Sequence, residues 1–170
     1  MPASKDEASD ATATRDLIVT RRLSARIERV WQAWTDGSQV KRWWGPRGFT
    51  APLAEMEVRE GGTSLVCMRS PEGHEIYNTW SYERVVPNQR LDFLSHFADD
   101  HGNRLAPSVL GLPSGIPDGV RHVVTLTAGA GGTTELAVTE KGYTSDQAVE
   151  LSKAGLEQCL DKMNELLATG

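Results

Sequence analysis

Glu28-Arg29-Val30-Trp31-Gln32-Ala33-Trp34-Thr35-Asp36, followed shortly by Lys41-Arg42-Trp43-Trp44-Gly45-Pro46, places four of the chain's five tryptophans within fourteen positions. So dense an aromatic cluster needs a common core or cavity to sit in. Ile27, Val30, Trp31 and Trp34 recur at i, i+3, i+4 and i+7, the spacing of one helical face. Trp31 and Trp34 are therefore expected to be structural core rather than ligand contacts. Asp36-x-x-Gln39 is a capping signal for a second short helix over 38–44. Gly45-Pro46 stops it, because proline cannot continue a helix and disfavours helical backbone in the residue before it.

On the N-terminal side, 16–23 (DLIVTRRL) has a β-branched centre and reads as a strand. On the C-terminal side the pattern changes at Ala51 to period two and keeps it for about eighty residues. Turn signals at Gly61-Gly62, Pro71-Glu72-Gly73, Pro87-Asn88, Asp100 to Asn103 and Gly129 to Gly132 divide this stretch. The expected strands are 51–60, 63–69, 74–86, 90–98, 120–128 and 133–140. Thr144-x-x-Gln147 then opens a long helix to about 168, with apolar or small residues at Ala148, Leu151, Gly155, Cys159, Met163 and Leu166 or Leu167.

With the order β-αα-β6-α and the string E-x-V-W-x-A-W-T-D…K-x-W-W-G-P, the chain resembles the START-like (SRPBCC) helix-grip superfamily, in the branch grouped with activators of heat-shock chaperone ATPase. The resemblance runs over 16–168. It implies an α+β fold in which a curved antiparallel sheet wraps the long C-terminal helix and leaves a cavity between them. Residues 1–14 are expected to be a disordered tail and 15–170 the helix-grip domain. Superfamily members bind apolar ligands, cyclise polyketides or regulate partner proteins on one architecture, so function has to be argued from this chain's own cavity residues.

The 170 residues, 39% hydrophobic and 24% charged, suit one domain with a sizeable core. A net charge of −5 with scattered basic residues disfavours nucleic acid and anionic membranes as partners. No apolar run is long enough to insert in a membrane, and the first residues have no signal-peptide pattern. Cys67 and Cys159 lie in no metal-binding or redox motif and read as two buried thiols in a reducing, cytoplasmic setting.

Strand alternation sorts the side chains into two faces, and the resemblance, whose pattern after Gly61-Gly62 has an apolar residue at the place of Ser64 and a methionine at Met68, implies that Ser64, Val66 and Met68 point inward. Ser64, Val66 and Met68 share a face; so do Ile76, Asn78, Trp80 and Tyr82, then Leu91, Phe93, Ser95 and Phe97, then His122, Val124 and Leu126. Cys159 and Met163 face them from the long helix. The resemblance implies a bulky aromatic at the place of Ser64, so the cavity should widen there unless another side chain fills it. The mixture of apolar walls and a few polar groups suits a small, largely apolar ligand, lipid-like or polycyclic and aromatic. Equally open at this point is a filled core in which Asn78 and His122 bond each other or backbone.

Catalysis has weaker support. His122 with Tyr82 or Asn78 is the only inward cluster suited to acid–base work, and no nucleophile motif is present. A cyclase-like enzyme and a chaperone or partner-protein regulator are the alternative readings. In an apolar enclosure His122 is expected to stay neutral and to offer a ligand one donor and one acceptor. The run His96 to His101 reads as surface and solvated turn residues rather than a metal site, and no metal or cofactor is expected. The glycine runs at 61–62 and 129–132 open no helix and cannot cradle phosphate. The segment 104–119, with Leu105, Val109, Leu110, Leu112 and Ile116 among its prolines and glycines, reads as an irregular loop, packed passively or serving as a lid over the cavity mouth. A homodimer through a sheet edge or the Trp43-Trp44 corner is compatible with the sequence.

Overall fold

The computed structural model describes residues 13–169. The expected tail, 1–14, lies almost wholly outside the described residues. Seven strands form one antiparallel sheet: β1 (Arg15–Leu23), β2 (Thr50–Glu55), β3 (Thr63–Arg69), β4 (Glu75–Val86), β5 (Arg90–Ala98), β6 (Gly119–Ala128) and β7 (Thr134–Tyr143). Their spatial order is β1-β7-β6-β5-β4-β3-β2, a meander whose last strand returns to pair with the first. Two short helices, α1 (Ile27–Thr35) and α2 (Gly37–Trp43), follow β1, and the long helix α3 (Asp146–Thr169) closes the chain. This is the helix-grip arrangement.

The tryptophan stretch folds as its spacing predicts. Val30 and Trp34 are buried, while Ile27 and Trp31 are partly covered and pack against the core. Asp36 ends α1 and caps α2: its carboxylate accepts from the Ser38 N–H at 2.9 Å and the Ser38 hydroxyl at 2.8 Å. The helix therefore starts at Gly37, one residue earlier than expected. The Trp43 indole donates to the Ala33 carbonyl at 2.7 Å, which fixes α2 against α1. Trp34 meets Trp43 edge-on at 4.8 Å, and Trp44 meets Trp80 edge-on at 5.1 Å, the arrangement that ring quadrupoles favour.

Several boundaries differ from the sequence reading. β2 ends at Glu55 rather than near 60, because a register shift between Thr50 and Leu53 is followed by a turn in which the Glu57 N–H bonds the Ser64 hydroxyl. β7 runs on to Tyr143, three residues past the expected end. α3 is capped by Ser145 rather than Thr144: the Ser145 hydroxyl accepts from the Ala148 N–H at 3.1 Å and its carbonyl from the Val149 N–H at 3.2 Å. On α3, Leu151 is half exposed. The inward stripe passes through Ala148, Leu156, Cys159, Leu160 and Met163, and Leu151 falls to one side of it.

The segment 104–119 is more ordered than an irregular loop. Arg104 bridges Ala98, the Leu105 N–H donates to the Phe97 carbonyl at 2.8 Å, and Pro107–Leu110 forms a single 3₁₀ turn. Its far end is tied to the start of α3, where the Thr144 N–H donates to the Gly115 carbonyl at 2.8 Å and the Ser145 hydroxyl to the Ser114 carbonyl at 2.9 Å. Gly115 has φ +103°, and a Cβ there would lie 2.2 Å from the Ser145 oxygen, so only glycine allows this contact.

Among the described residues no helix is long and apolar enough to cross a membrane. Cys67 and Cys159 are both free and buried.

Candidate functional site

Between the concave face of the sheet and α3 lies a cavity of about 180 Å³. The pairing register explains how residues distant in sequence meet on its wall. Glu140, His122 and Phe93 stand side by side across β7, β6 and β5, and the next row holds Val120, Ser95 and Trp80. Phe97 and Asn78 form the row after that, and Met68 of β3 lies beyond them. Opposite, α3 presents Ser152, Gly155, Leu156 and Cys159. Trp34, Trp44, Pro46 and Ile116 complete the enclosure. Small side chains at 152, 155 and 159 on one helical face leave the space that larger ones would fill.

Of the residues singled out from sequence, Met68, Asn78, Trp80, Phe93, Ser95, His122 and Cys159 line this cavity, and Ser64, Val66, Tyr82, Val124 and Met163 do not. Ser64 is fully buried, and its hydroxyl lies 2.9 Å from that of Tyr82. Neither residue lines the cavity, so the small side chain at 64 does not widen it. Burial drives the Tyr82 hydroxyl pKa strongly up. Val66, Val124 and Met163 belong to the packed core. From the loop only Ile116 reaches the cavity; Leu105, Leu110 and Leu112 are half-buried elsewhere and Val109 is exposed. Trp34, expected as core alone, is core and cavity wall at once.

Sequence reasoning missed Glu140 and Tyr143. The signal was there: Leu136, Val138 and Glu140 share one phase of β7, which puts a carboxylate on the inner face beside His122. Tyr143 joins them only because Gly142, at φ +101°, breaks the alternation. The three form a buried network. His122 Nδ1 donates to the Val120 carbonyl at 3.0 Å, and Nε2 lies 3.2 Å from Glu140 Oε2. The Tyr143 hydroxyl donates to Glu140 Oε1 at 2.5 Å. The imidazole also stacks on Phe93, with centroids 4.7 Å apart and planes 16° from parallel.

This geometry overturns the expectation of a neutral His122. Burial alone would push its pKa down, but the Glu140 charge, the hydrogen bond to it and the Val120 carbonyl together carry it above the ordinary histidine value. Burial likewise opposes ionisation of Glu140, and the imidazolium and the two hydrogen bonds overcome it, so its pKa lies below the carboxylate norm. Both ring nitrogens face acceptors, so His122 has neither donor nor acceptor left for a ligand. Nor does it bond Asn78, whose Nδ2 makes a long 3.5 Å contact to the His96 carbonyl.

Four other polar atoms at this site have no protein hydrogen-bond partner: Asn78 Oδ1 and the indole nitrogens of Trp34, Trp44 and Trp80. Each is shielded from the cavity space by its neighbours. Burial pushes the Cys159 thiol up to about 11, which keeps it from acting as a thiolate.

His96 is buried, not a surface residue, because Gly119 on the paired strand lets backbone lie against its ring. Burial, then Arg104, lower its pKa. Asp99 organises its turn by accepting from the His101 and Asn103 N–H groups, each at 2.9 Å. Among the described residues, no three His, Cys, Asp or Glu side chains are placed to hold a metal ion.

Residues 24–168 match the family model described as "Activator of Hsp90 ATPase homolog 1-like protein". No curated protein matches the sequence. Among solved structures, a crystal structure of a Mycobacterium smegmatis protein is similar at 24% identity and TM-score 0.71, covering 93% of this chain and 91% of that one. A Chromobacterium violaceum protein matches at 24% identity and TM-score 0.73, covering 89% and 96%. An Arthrobacter aurescens protein solved by NMR matches at 20% identity and TM-score 0.75, covering 94% and 93%. At these identities the likeness is one of fold.

Proposed function

The chain belongs to the family of activator of Hsp90 ATPase homolog 1-like proteins, and from that premise we propose that it binds a small, largely apolar ligand in the cavity between sheet and α3. The observation that carries this reading is the cavity itself: about 180 Å³, walled mainly by rings and aliphatic groups, with a few polar side chains among them. Its volume sets the scale of the occupant. An engineered protein cavity of about 150 Å³ accepts benzene, so this one suits a single ring with a small substituent. A lipid or a polycyclic compound would require the walls to move.

The geometry favours binding over turnover. Acid–base chemistry needs a group whose proton affinity suits exchange with the ligand; both nitrogens of His122 are committed, Cys159 is held as a thiol, and Glu140, held below the carboxylate norm by His122 and its hydrogen bonds against the opposing effect of burial, is a weak base. The family description names activation of a chaperone ATPase, a role that calls for an outward-facing surface. Among the described residues the exposed large apolar side chains are Ile18, Val109 and Leu151, on three separate elements, so the interior reading is the better supported.

A thermal-shift titration with one-ring compounds such as toluene and phenol tests the proposal. A ligand that binds only the folded chain at a hundred times its Kd adds about 2.7 kcal/mol of stability. Gly155→Leu is the control. A Cβ at 155 meets only Pro46 at 3.8 Å, so a larger side chain has room to fill the cavity. The wild-type chain should respond in proportion to ligand and the variant should not. Equal responses would place binding elsewhere and refute the proposal.

A further inference from the structure

The hydrogen-bonding capacity left on the cavity wall narrows the ligand class, on the premise that the cavity is a ligand site. Three polar groups stand together there, and neither His122 nor Tyr143 has a proton to spare. His122 gives one N–H to the Val120 carbonyl and turns the other nitrogen to Glu140. Tyr143 gives its hydroxyl proton to Glu140 and keeps only neutral acceptor capacity on its oxygen. Glu140 is the charged acceptor of the three. A carboxylate offers about four acceptor positions, and the protein contacts use one on each oxygen. Glu140 lines the cavity, and among the described residues no other side chain takes up that remaining capacity.

Charge narrows the class further. Nδ1 of His122 must hold a proton to meet the Val120 carbonyl, and one further proton is shared between Nε2 and Glu140, so the pair is net neutral. A ligand anion would meet a carboxylate that is already buried, with no free cation to balance it. A ligand cation would leave one positive charge too many in a poorly solvated enclosure. A neutral donor suffers neither penalty. The hydroxyl of Ser95, on the row next to Phe93, lies on the same wall and can donate or accept for a second contact.

We propose that the cavity selects a neutral one-ring ligand bearing a hydroxyl or amine donor, with that donor directed to the carboxylate of Glu140 and the ring held between the Trp80–Phe93 wall and Gly155.

The test is a calorimetric or NMR titration of the full chain near pH 6 with four probes of similar size: toluene, phenol, benzoate and benzylammonium. Phenol should bind at least about tenfold more tightly than toluene, the difference expected of one hydrogen bond to a charged acceptor, and benzoate and benzylammonium more weakly than phenol. Glu140→Gln should shrink the phenol-to-toluene ratio; should that variant not fold, the probe series on the wild-type chain decides alone. Toluene binding as tightly as phenol would overturn donor recognition while leaving the cavity reading intact. Tightest binding of benzoate or benzylammonium would overturn the neutral class. Binding of none of the four would refute the cavity reading, and this inference with it.

Discussion

Replacing His122 by phenylalanine keeps the ring and its stack on Phe93 but removes the cation from a buried ion pair and leaves the anion behind. Only 12% of the His122 side chain and 9% of that of Glu140 are exposed, so the small values measured for surface pairs do not apply. Taking the 3.2 Å contact as the charge separation and an effective dielectric constant near 20, the attraction is about 5 kcal/mol. Removing one member of such a pair costs about 3–5 kcal/mol, because the survivor stays desolvated. We therefore expect His122→Phe to lose about 3–5 kcal/mol in denaturant unfolding at pH 6, and the double replacement His122→Phe with Glu140→Leu to regain most of it.

The pH dependence of the wild-type chain has a defined sign. The raised His122 pKa gives stability that is complete below the ordinary value of 6.5 and is lost as pH rises through the higher folded value. The lowered Glu140 pKa gives stability present above 4.5 and lost as pH falls through the lower folded value. The pair should contribute most between those two values, and His122→Phe should abolish the loss on the alkaline side. A cost under about 1 kcal/mol, or an unchanged alkaline limb, would refute the charged-pair assignment.

Trp34→Ala, at a side chain 2% exposed, should cost about 3–5 kcal/mol by thermal or denaturant unfolding; an unchanged melting temperature would contradict its place in the core. Ser145→Ala should remove both the α3 cap and the tie to Ser114, lowering stability by about 1 kcal/mol and bringing limited proteolysis within 104–119 forward. Cleavage there at the wild-type rate would mean that the loop is held by other contacts. Cys159, with its thiol pKa near 11, should react with a thiol reagent at pH 8 orders of magnitude more slowly than an unstructured cysteine, and rapid labelling of the folded chain would contradict its burial.

The fold was legible because its signals are local. The stripe of Ile27, Val30, Trp31 and Trp34 and the long run of period-two alternation each declare an element without reference to the rest of the chain. Alternation also put Asn78, Trp80, Phe93, Ser95 and His122 on one face, and the structure sets all five on the cavity wall. What alternation does not encode is which inward residue meets space and which meets another side chain. Tyr82 hydrogen-bonds Ser64, and Val124 and Met163 vanish into the core, through packing that only the assembled sheet and helix define.

Glu140 escapes the sequence reading because it stands at the end of the strand expected over 133–140, and only the β6–β7 register makes it His122's neighbour. With it goes the protonation state of His122, which depends on a contact between strands rather than on burial alone. The irregular composition of 104–119 was plain, but its anchoring rests on hydrogen bonds to Phe97 and to residues at the start of α3, far away in sequence.

The central claim is that a small aromatic ligand occupies the space between the sheet and α3 and is held by Glu140. A crystal structure of the chain grown or soaked with phenol tests it most directly. We expect ring density against Phe93 and Gly155, with the phenol oxygen about 2.5–2.7 Å from a Glu140 oxygen. Phenol bound only on the outer surface, with the cavity closed by the side chains around it, would contradict the account.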